Sequence, residues 1–254
     1  LPVYNAAPYL NETLESLLGQ TRPADQIVIV NDGSTDHSLE ILEKYRKAES
    51  RIQVISQENA GVSAARNLGL GYCEGDYVAL MDADDICQPN RFAAQLKAMS
   101  EQHLDLCGTW IKTFGNKERE VSYPTSDAEL RFTYFFFGGT IPNPTAMMKR
   151  NIVGNLRYDE RLVFAEDFGF FLSLVLANPA LRMANIPQPL VHYRTHPSQA
   201  SQRHAEKNES SLKLLLTAKL NEHGFAASKQ QIDIHFQIWK NKKDVSLDQL
   251  EAYL

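Results

Sequence analysis

No stretch of this chain stays apolar for the roughly 18 residues that a membrane-crossing helix requires, and nothing in it reads as a signal peptide. Cysteine is scarce: Cys73, Cys87 and Cys107 are an odd number without CxxC spacing. That argues against a structural zinc site and fits a reduced, intracellular protein. Positive charge is also short. Lys and Arg number 26 against 31 Asp and Glu, a net charge of −5. The basic face that a nucleic-acid backbone demands is not evident, and the short basic run at 240–243 reads as solvated surface. Internal repeats and low-complexity linkers are missing too.

What is present suits an ordinary globular protein with a large core: 43% hydrophobic and 22% charged residues. The 254 residues suffice for one large α/β domain, alone or with a small appendage. Leu1-Pro2, with no initiator Met, reads as the end of a first strand, which leaves upstream targeting open. The first half alternates β-type runs with helical patterns, the mark of βαβ units and a mainly parallel sheet. Leu10, Leu14, Leu17 and Leu18 form a helical stripe, then come a strand at 26–30, a helix around 39–45 and a strand at 52–55. A helix at 62–72, a strand at 76–81 and a helix opened by Pro89 follow. Beyond Leu104 the pattern predicts a hairpin around Gly115-Asn116-Lys117, an aromatic-rich segment at 131–137 and a strand at 144–149. An apolar helix at 168–177 and a last strand at 190–194 complete the series. The stretch 198–202 reads as the boundary before a polar helical tail carrying Leu212, Leu215, Leu216 and Leu220.

The densest chemistry lies at Asp82-Ala83-Asp84-Asp85, after the apolar run 77–80. Three carboxylates within four positions repel one another, which raises their pKa values unless a cation or donors answer them. At a strand end this suits Mg²⁺ or Mn²⁺, which commonly takes one or two carboxylates plus substrate phosphates. A solvated acidic turn has the same sequence. Asn31-Asp32-Gly33-Ser34-Thr35-Asp36 follows a strand and precedes a helix, where open α/β sheets place ligands. Asp32 can accept from a base or ribose while Asp36 caps the helix. In the segment 59–67, Gly61 permits a turn, Ser63 can cap, and Arg66 can face a phosphate or base or simply lie on the surface. Gly69-x-Gly71-x-x-x-Gly75 is a decoy, because it follows a helix and precedes a strand, the reverse of the phosphate-binding order. Glu166-Asp167 opens a helix, where one acid is expected as a cap and the second can act as general base. In Tyr193-Arg194-Thr195-His196-Pro197-Ser198, Arg194 suits a diphosphate and His196 a divalent metal.

Taken in order, Pro2-Val3-Tyr4-Asn5, the segments 31–36 and 59–67, Gly75-Asp76-Tyr77, Asp82-x-Asp84-Asp85, Glu166-Asp167 and 193–198 resemble glycosyltransferase family 2 with the GT-A fold. The resemblance covers roughly the first 200 residues. It implies an α/β, Rossmann-like, mainly parallel sheet flanked by helices over residues 1–202, with a nucleotide-binding half at 1–104 and an acceptor half at 105–202. Residues 203–254 would be a C-terminal helical extension. It further implies an inverting hexosyl- or N-acetylhexosaminyltransferase that moves one sugar from a nucleotide-diphosphate donor, a UDP-sugar first, to a glycan or lipid-linked hydroxyl in bacterial surface polysaccharide synthesis. By this resemblance Pro2 and Tyr4 line the base pocket, Asp32 and Arg66 contact the nucleoside, and Arg194 meets the diphosphate. Asp82 lies near ribose and metal, Asp84 ligates Mn²⁺ or Mg²⁺, His196 adds a ligand, and Asp167 is the base. Asp85 is expected in the turn.

The implied location is cytoplasmic, or peripheral at the inner face of the plasma membrane. The Gln-x-x-Arg-Trp signature and membrane spans of processive synthases are missing, so one sugar per encounter is expected. The aromatics at 133–137, with Gly138-Gly139, are read mainly as core, with an acceptor pocket or membrane contact as the other reading. Two other functions stand beside this one. A sugar-nucleotide nucleotidyltransferase needs a glycine-rich basic N-terminal loop, which residues 2–8 lack. A non-catalytic nucleotide-sugar-binding module is opposed by the intact Asp32, Asp84 and Asp167.

Overall fold

The computed structural model describes residues 1–136, 141–162, 164–196, 211–215, 217–218, 221 and 228–239. Strands β1 (Pro2–Val3), β2 (Ile27–Asp32) and β3 (Ile52–Gln57) form a parallel sheet in the order β1-β2-β3. Helices α1 (Ala7–Leu18) and α2 (Ser38–Ala48) connect them, and α3 (Val62–Tyr72) leads onward. The near-continuous apolar run of β2 is explained by burial on both faces. Ile27 and Ile29 pack with Leu10 and Leu14 of α1 and Leu42 of α2.

A second, mixed sheet holds β4 (Tyr77–Ala79), β8 (Met147–Lys149), β6 (Leu106–Gly115), β9 (Met183–Thr195) and β5 (Ile86–Cys87), in that order, with β7 (Arg119–Val121) beside β6. Strands β6 and β9 are parallel and the remaining pairs antiparallel. The expected hairpin is present, with Thr113 opposite Arg119 and Ile111 opposite Val121. Gly115 takes φ 90° at its turn, and a Cβ there would lie 2.5 Å from the Thr195 carbonyl oxygen.

Helices α4 (Arg91–Glu101), α5 (Asp127–Phe136), α6 (Arg150–Val153), α7 (Glu166–Ala177) and α8 (Lys229–Trp239) complete the described elements. The core centres on α7, whose Phe168, Phe170, Phe171, Leu172 and Leu174 are buried in one cluster with Leu130 and Tyr134 of α5. Each such side chain contributes about 1.5–3 kcal/mol by leaving water. Ile232 of α8 belongs to the same cluster, so this part of the C-terminal region packs on the core.

Three elements differ from the sequence pattern. The last strand begins at Met183 rather than 190. Pro187 and Pro189 masked its start, and the sheet accommodates them where the β6–β9 register shifts around Trp110. The segment 76–81 is a strand only over Tyr77–Ala79. The segment 144–149 is a strand only over Met147–Lys149, after a 3-10 turn at Asn143–Thr145. The aromatic-rich segment, for which the sequence set no element, is helical as α5. Phe137, Gly138, Gly139, the boundary at 198–202, Leu216, Leu220 and the basic run at 240–243 lie outside the described residues.

Candidate active site

Because β1, β2 and β3 are parallel, the loops that follow them gather at one sheet edge. Asn5 takes a left-handed backbone with φ 50°. Its side-chain oxygen accepts from Thr35 N at 2.8 Å, while Asn5 N donates to Ser34 Oγ at 3.1 Å. Asp36 starts two helices at once, accepting from Ala7 N at 3.0 Å and Ser38 N at 2.9 Å. Desolvation pushes this carboxyl up, yet the hydrogen bonds from Ser38 and Ala7 hold it below the usual range. Gly33, at φ 67°, lets the neighbouring loop approach, since a Cβ there would lie 2.7 Å from Asn59 N.

Asp32, expected at the nucleoside, is 3% exposed. Its Oδ1 accepts from Ala60 N at 2.8 Å and Gln57 Nε2 at 2.7 Å, and its Oδ2 from Gly61 N at 3.0 Å. In this structure it ties the β3–α3 loop to β2. Pro2 pairs with Val30, and Tyr4 beside it is 54% exposed.

The acidic segment sits under this edge. Asp82 Oδ1 lies 3.1 Å from Arg66 Nη2, and Arg66 Nη1 reaches Glu166 Oε1 at 2.7 Å. Asp84 Oδ2 meets His196 Nε2 at 3.0 Å, joining residues 112 positions apart. The imidazole centroid is 4.8 Å from that of Tyr9. Arg194 lies between the rings of Tyr9 and Phe114, 4.9 and 4.4 Å from their centroids. It also donates through Nε to Asp84 O at 2.7 Å and pairs with Glu12. Asp85, fully buried, accepts from Arg194 N at 2.8 Å. Arg194 therefore braces the acidic loop, whereas the sequence placed it at a diphosphate.

Burial raises the pKa of Asp84, and Asp82 raises it further against the relief from His196. Burial likewise drives Asp85 well above the usual carboxylate range, with Asp84 and Asp82 adding to it. Glu166 is raised by burial and by Asp167, with Arg66 opposing. At the start of α7, Ala165 adopts a left-handed φ of 60° without being glycine, an unfavourable conformation of the kind that clusters at functional sites. Among the described residues Asp167 accepts one hydrogen bond, from Phe168 N at 2.8 Å, and forms no ion pair. The two acids of this motif are thus unlike: Glu166 is bound to Arg66 and Asp167 is not.

Sequence reasoning missed a polar seam along α1 and the residues just after it. Thr13 Oγ1 donates toward Ala83 O at 3.0 Å and Asp85 O at 2.9 Å. Ser16 Oγ accepts from Cys87 N at 3.0 Å, and Gln20 Nε2 donates to Gln88 O at 2.8 Å. Their i, i+3, i+7 spacing beside the leucine stripe was the available signal. From the other side, fully buried Arg91 donates to Leu80 O at 3.0 Å and to Gln95 Oε1 at 2.9 Å.

Among the described residues no group of three or more His, Cys, Asp or Glu closes around one point. Asp84 and His196 supply an oxygen and a nitrogen side by side, with Asp82 near enough to raise the Asp84 pKa. Such a donor set fits a hard divalent ion whose remaining ligands are phosphates. A separate groove of about 1190 Å³ runs between β2 and β4, lined by Leu1, Val28, Gly69, Tyr77 and Leu96. Its lining includes Pro2, Arg66 and Leu80 but none of Asp82, Asp84, Asp85, Glu166 and Asp167, so the clustered acids do not open into it.

The architecture is the GT-A fold. S. aureus TarS in complex with UDP-GlcNAc aligns over 99% of this chain and 76% of its own, with TM-score 0.74 and 22% identity. A mannosyltransferase of Pyrobaculum calidifontis in complex with GDP-Man and Mn²⁺ aligns over 99% and 76%, with TM-score 0.61 and 17% identity. Residues 1–156 match the family described as Glycosyl transferase family 2, and the chain belongs to that family. An uncharacterized glycosyltransferase of Haemophilus influenzae is 31% identical over 87% of this chain and 73% of its own. EpsJ of Bacillus subtilis, described in the same words, is 29% identical over 92% and 73%.

Proposed function

We propose that this glycosyltransferase moves one sugar, with inversion, from a nucleoside-diphosphate donor to a hydroxyl of a glycan or lipid-linked acceptor. The observation that carries the reading is the convergence of Asp84 with His196, beside the Asp82–Arg66–Glu166 chain. Asp84 and His196, with Asp82, would hold Mn²⁺ or Mg²⁺. When bound, that ion stabilises negative charge on the departing diphosphate. Exposed Tyr4 and neighbouring Pro2 would line the base pocket.

Asp167 would be the general base, a reading supported by its standing outside the Arg66 pair. It would take the acceptor hydroxyl proton as that oxygen bonds to the anomeric carbon. The bond from that carbon to the diphosphate oxygen breaks, and the nucleoside diphosphate leaves with the electron pair. A UDP-hexose or UDP-N-acetylhexosamine is the first donor to test, since a TarS complex holds UDP-GlcNAc, with GDP-mannose second. A bacterial surface polysaccharide is the acceptor class this reading favours, with the protein at the inner face of the plasma membrane; among the described residues no helix is long and apolar enough to cross it.

The test is release of nucleoside diphosphate from a panel of nucleotide sugars, by wild type and by Asp167→Asn. A lost general base costs about 10²–10⁴-fold, so the variant should fall by that factor while binding donor as before. Near-wild-type turnover in Asp167→Asn would remove the base assignment.

A further inference from the structure

We infer that Arg66 is a positioning residue that sets which acid works in each of the two acidic motifs, an assignment that rests on the transfer reaction proposed above. The residue is 9% exposed, and its guanidinium is bonded through both terminal nitrogens, to Asp82 at 3.1 Å and Glu166 at 2.7 Å. The three residues come from α3, from the loop after β4 and from the start of α7. One arginine therefore joins the two motifs across 100 positions of sequence.

The pairing is selective. In Asp82-x-Asp84 it engages Asp82 and leaves Asp84 to His196. In Glu166-Asp167 it engages Glu166 and leaves Asp167 outside. A charge-assisted bond in a buried setting is strong and directional, so engaging one acid of a motif fixes the bearing of its neighbour. It also offsets negative charge that would otherwise crowd four carboxylates into one crevice.

The arginine itself is held. Its Cζ lies 5.3 Å from the Tyr158 ring centroid, a cation–π arrangement. Tyr158 OH donates to Asn143 Oδ1 at 3.1 Å. Asn67, the next residue of α3, accepts from Tyr158 N at 2.8 Å and donates to Tyr158 O at 2.9 Å. Adjacent residues of one helix thus carry the guanidinium and hold the backbone of the tyrosine whose ring lies beside it. Each terminal nitrogen of the guanidinium already carries one carboxylate partner.

The experiment measures two quantities separately: calorimetric affinity for UDP and GDP without added metal, and turnover at saturating nucleotide sugar and Mn²⁺. The proteins are wild type, Arg66→Met, Glu166→Gln and the double variant. Arg66→Met should bind the metal-free nucleotide within about threefold of wild type while turnover falls about 100-fold or more, the split expected of a residue that does not touch the nucleotide. Glu166→Gln, which keeps a neutral partner, should lose about tenfold, and the double variant should fall no further than Arg66→Met, since coupled residues are not additive. Tenfold weaker nucleotide binding with turnover preserved would make Arg66 a nucleotide contact and overturn the inference. Losses that multiply in the double variant would overturn it as well. Should Arg66→Met not fold, Glu166→Gln decides alone, and unchanged turnover there refutes the bridge. A wild-type protein that binds neither nucleotide and turns over no donor would overturn the transfer reading, and with it this one.

Discussion

Asp82, Asp84 and Asp85 stand within four positions and meet three environments. Asp82 pairs with Arg66, Asp84 faces His196, and Asp85 is fully buried against the Arg194 backbone. The same residue type therefore divides into an anchored acid, a candidate metal ligand and a turn residue. This division sets expectations for single substitutions. Asp85→Asn keeps the acceptor for Arg194 N and removes a carboxyl that burial already disfavours as a charge, so its stability should stay within about 1 kcal/mol of wild type. Asp84→Asn removes a charged ligand and should weaken Mn²⁺-dependent donor binding by about 10–100-fold. Thermal unfolding and calorimetry on the two variants check both statements. Equal losses at both positions would erase the distinction.

At the scale of elements, α1 is the template for the acidic loop. Its buried face carries leucines toward β2, while Thr13 and Ser16, with Gln20 just past its end, hold the chain from Ala83 to Gln88 by backbone groups. Thr13→Val removes the one hydroxyl donor that the Ala83 and Asp85 carbonyls share, at a cost of about 1–3 kcal/mol. It should also raise the donor KM, because the loop bearing Asp84 loses its support. Thr13→Ser should restore both stability and KM, and a valine variant that unfolds earlier at unchanged KM would limit α1 to a structural role. What sequence could and could not show follows the same line. Residues 62–72 and 168–177 were legible as helices because their apolar spacing repeats. The acidic motifs were legible because like charges rarely crowd without a function. Strand β5, two residues long, has no period to read, and β9 was shortened by prolines that only its partner β6 makes tolerable. Arg66 and Arg194 were singled out from the sequence as nucleotide contacts, and the structure shows them paired with carboxylates. Their partners, Glu166 and Glu12, lie 100 and 182 positions away, a pairing no local pattern encodes.

For the whole molecule, two buried-edge carboxylates tie distant segments together and make stability depend on pH. Desolvation opposes both, but hydrogen bonds to Asp36 from Ser38 and Ala7 hold its carboxyl low, and Lys149 and Arg182 do the same for Asp105. A folded pKa below the unfolded value of about 3.9 stabilises the fold fully above that value and loses the contribution as pH falls through the folded pKa. The urea midpoint of wild type should therefore drop below about pH 4, more steeply than that of an Asp36→Asn, Asp105→Asn double variant. Parallel curves would remove these two acids from the acid limb. The central claim is that the assembled crevice takes a nucleoside-diphosphate sugar together with a divalent ion. Thermal unfolding with UDP-GlcNAc or GDP-mannose, each with and without Mn²⁺, tests it most directly. A ligand at 100 times its Kd adds about 2.7 kcal/mol of stability, which for a protein of this size raises Tm by roughly 5–10 °C. The expected result is such a rise with one donor, dependent on Mn²⁺ and lost in Asp84→Asn; no rise with either donor, or an equal rise in Asp84→Asn, would contradict it.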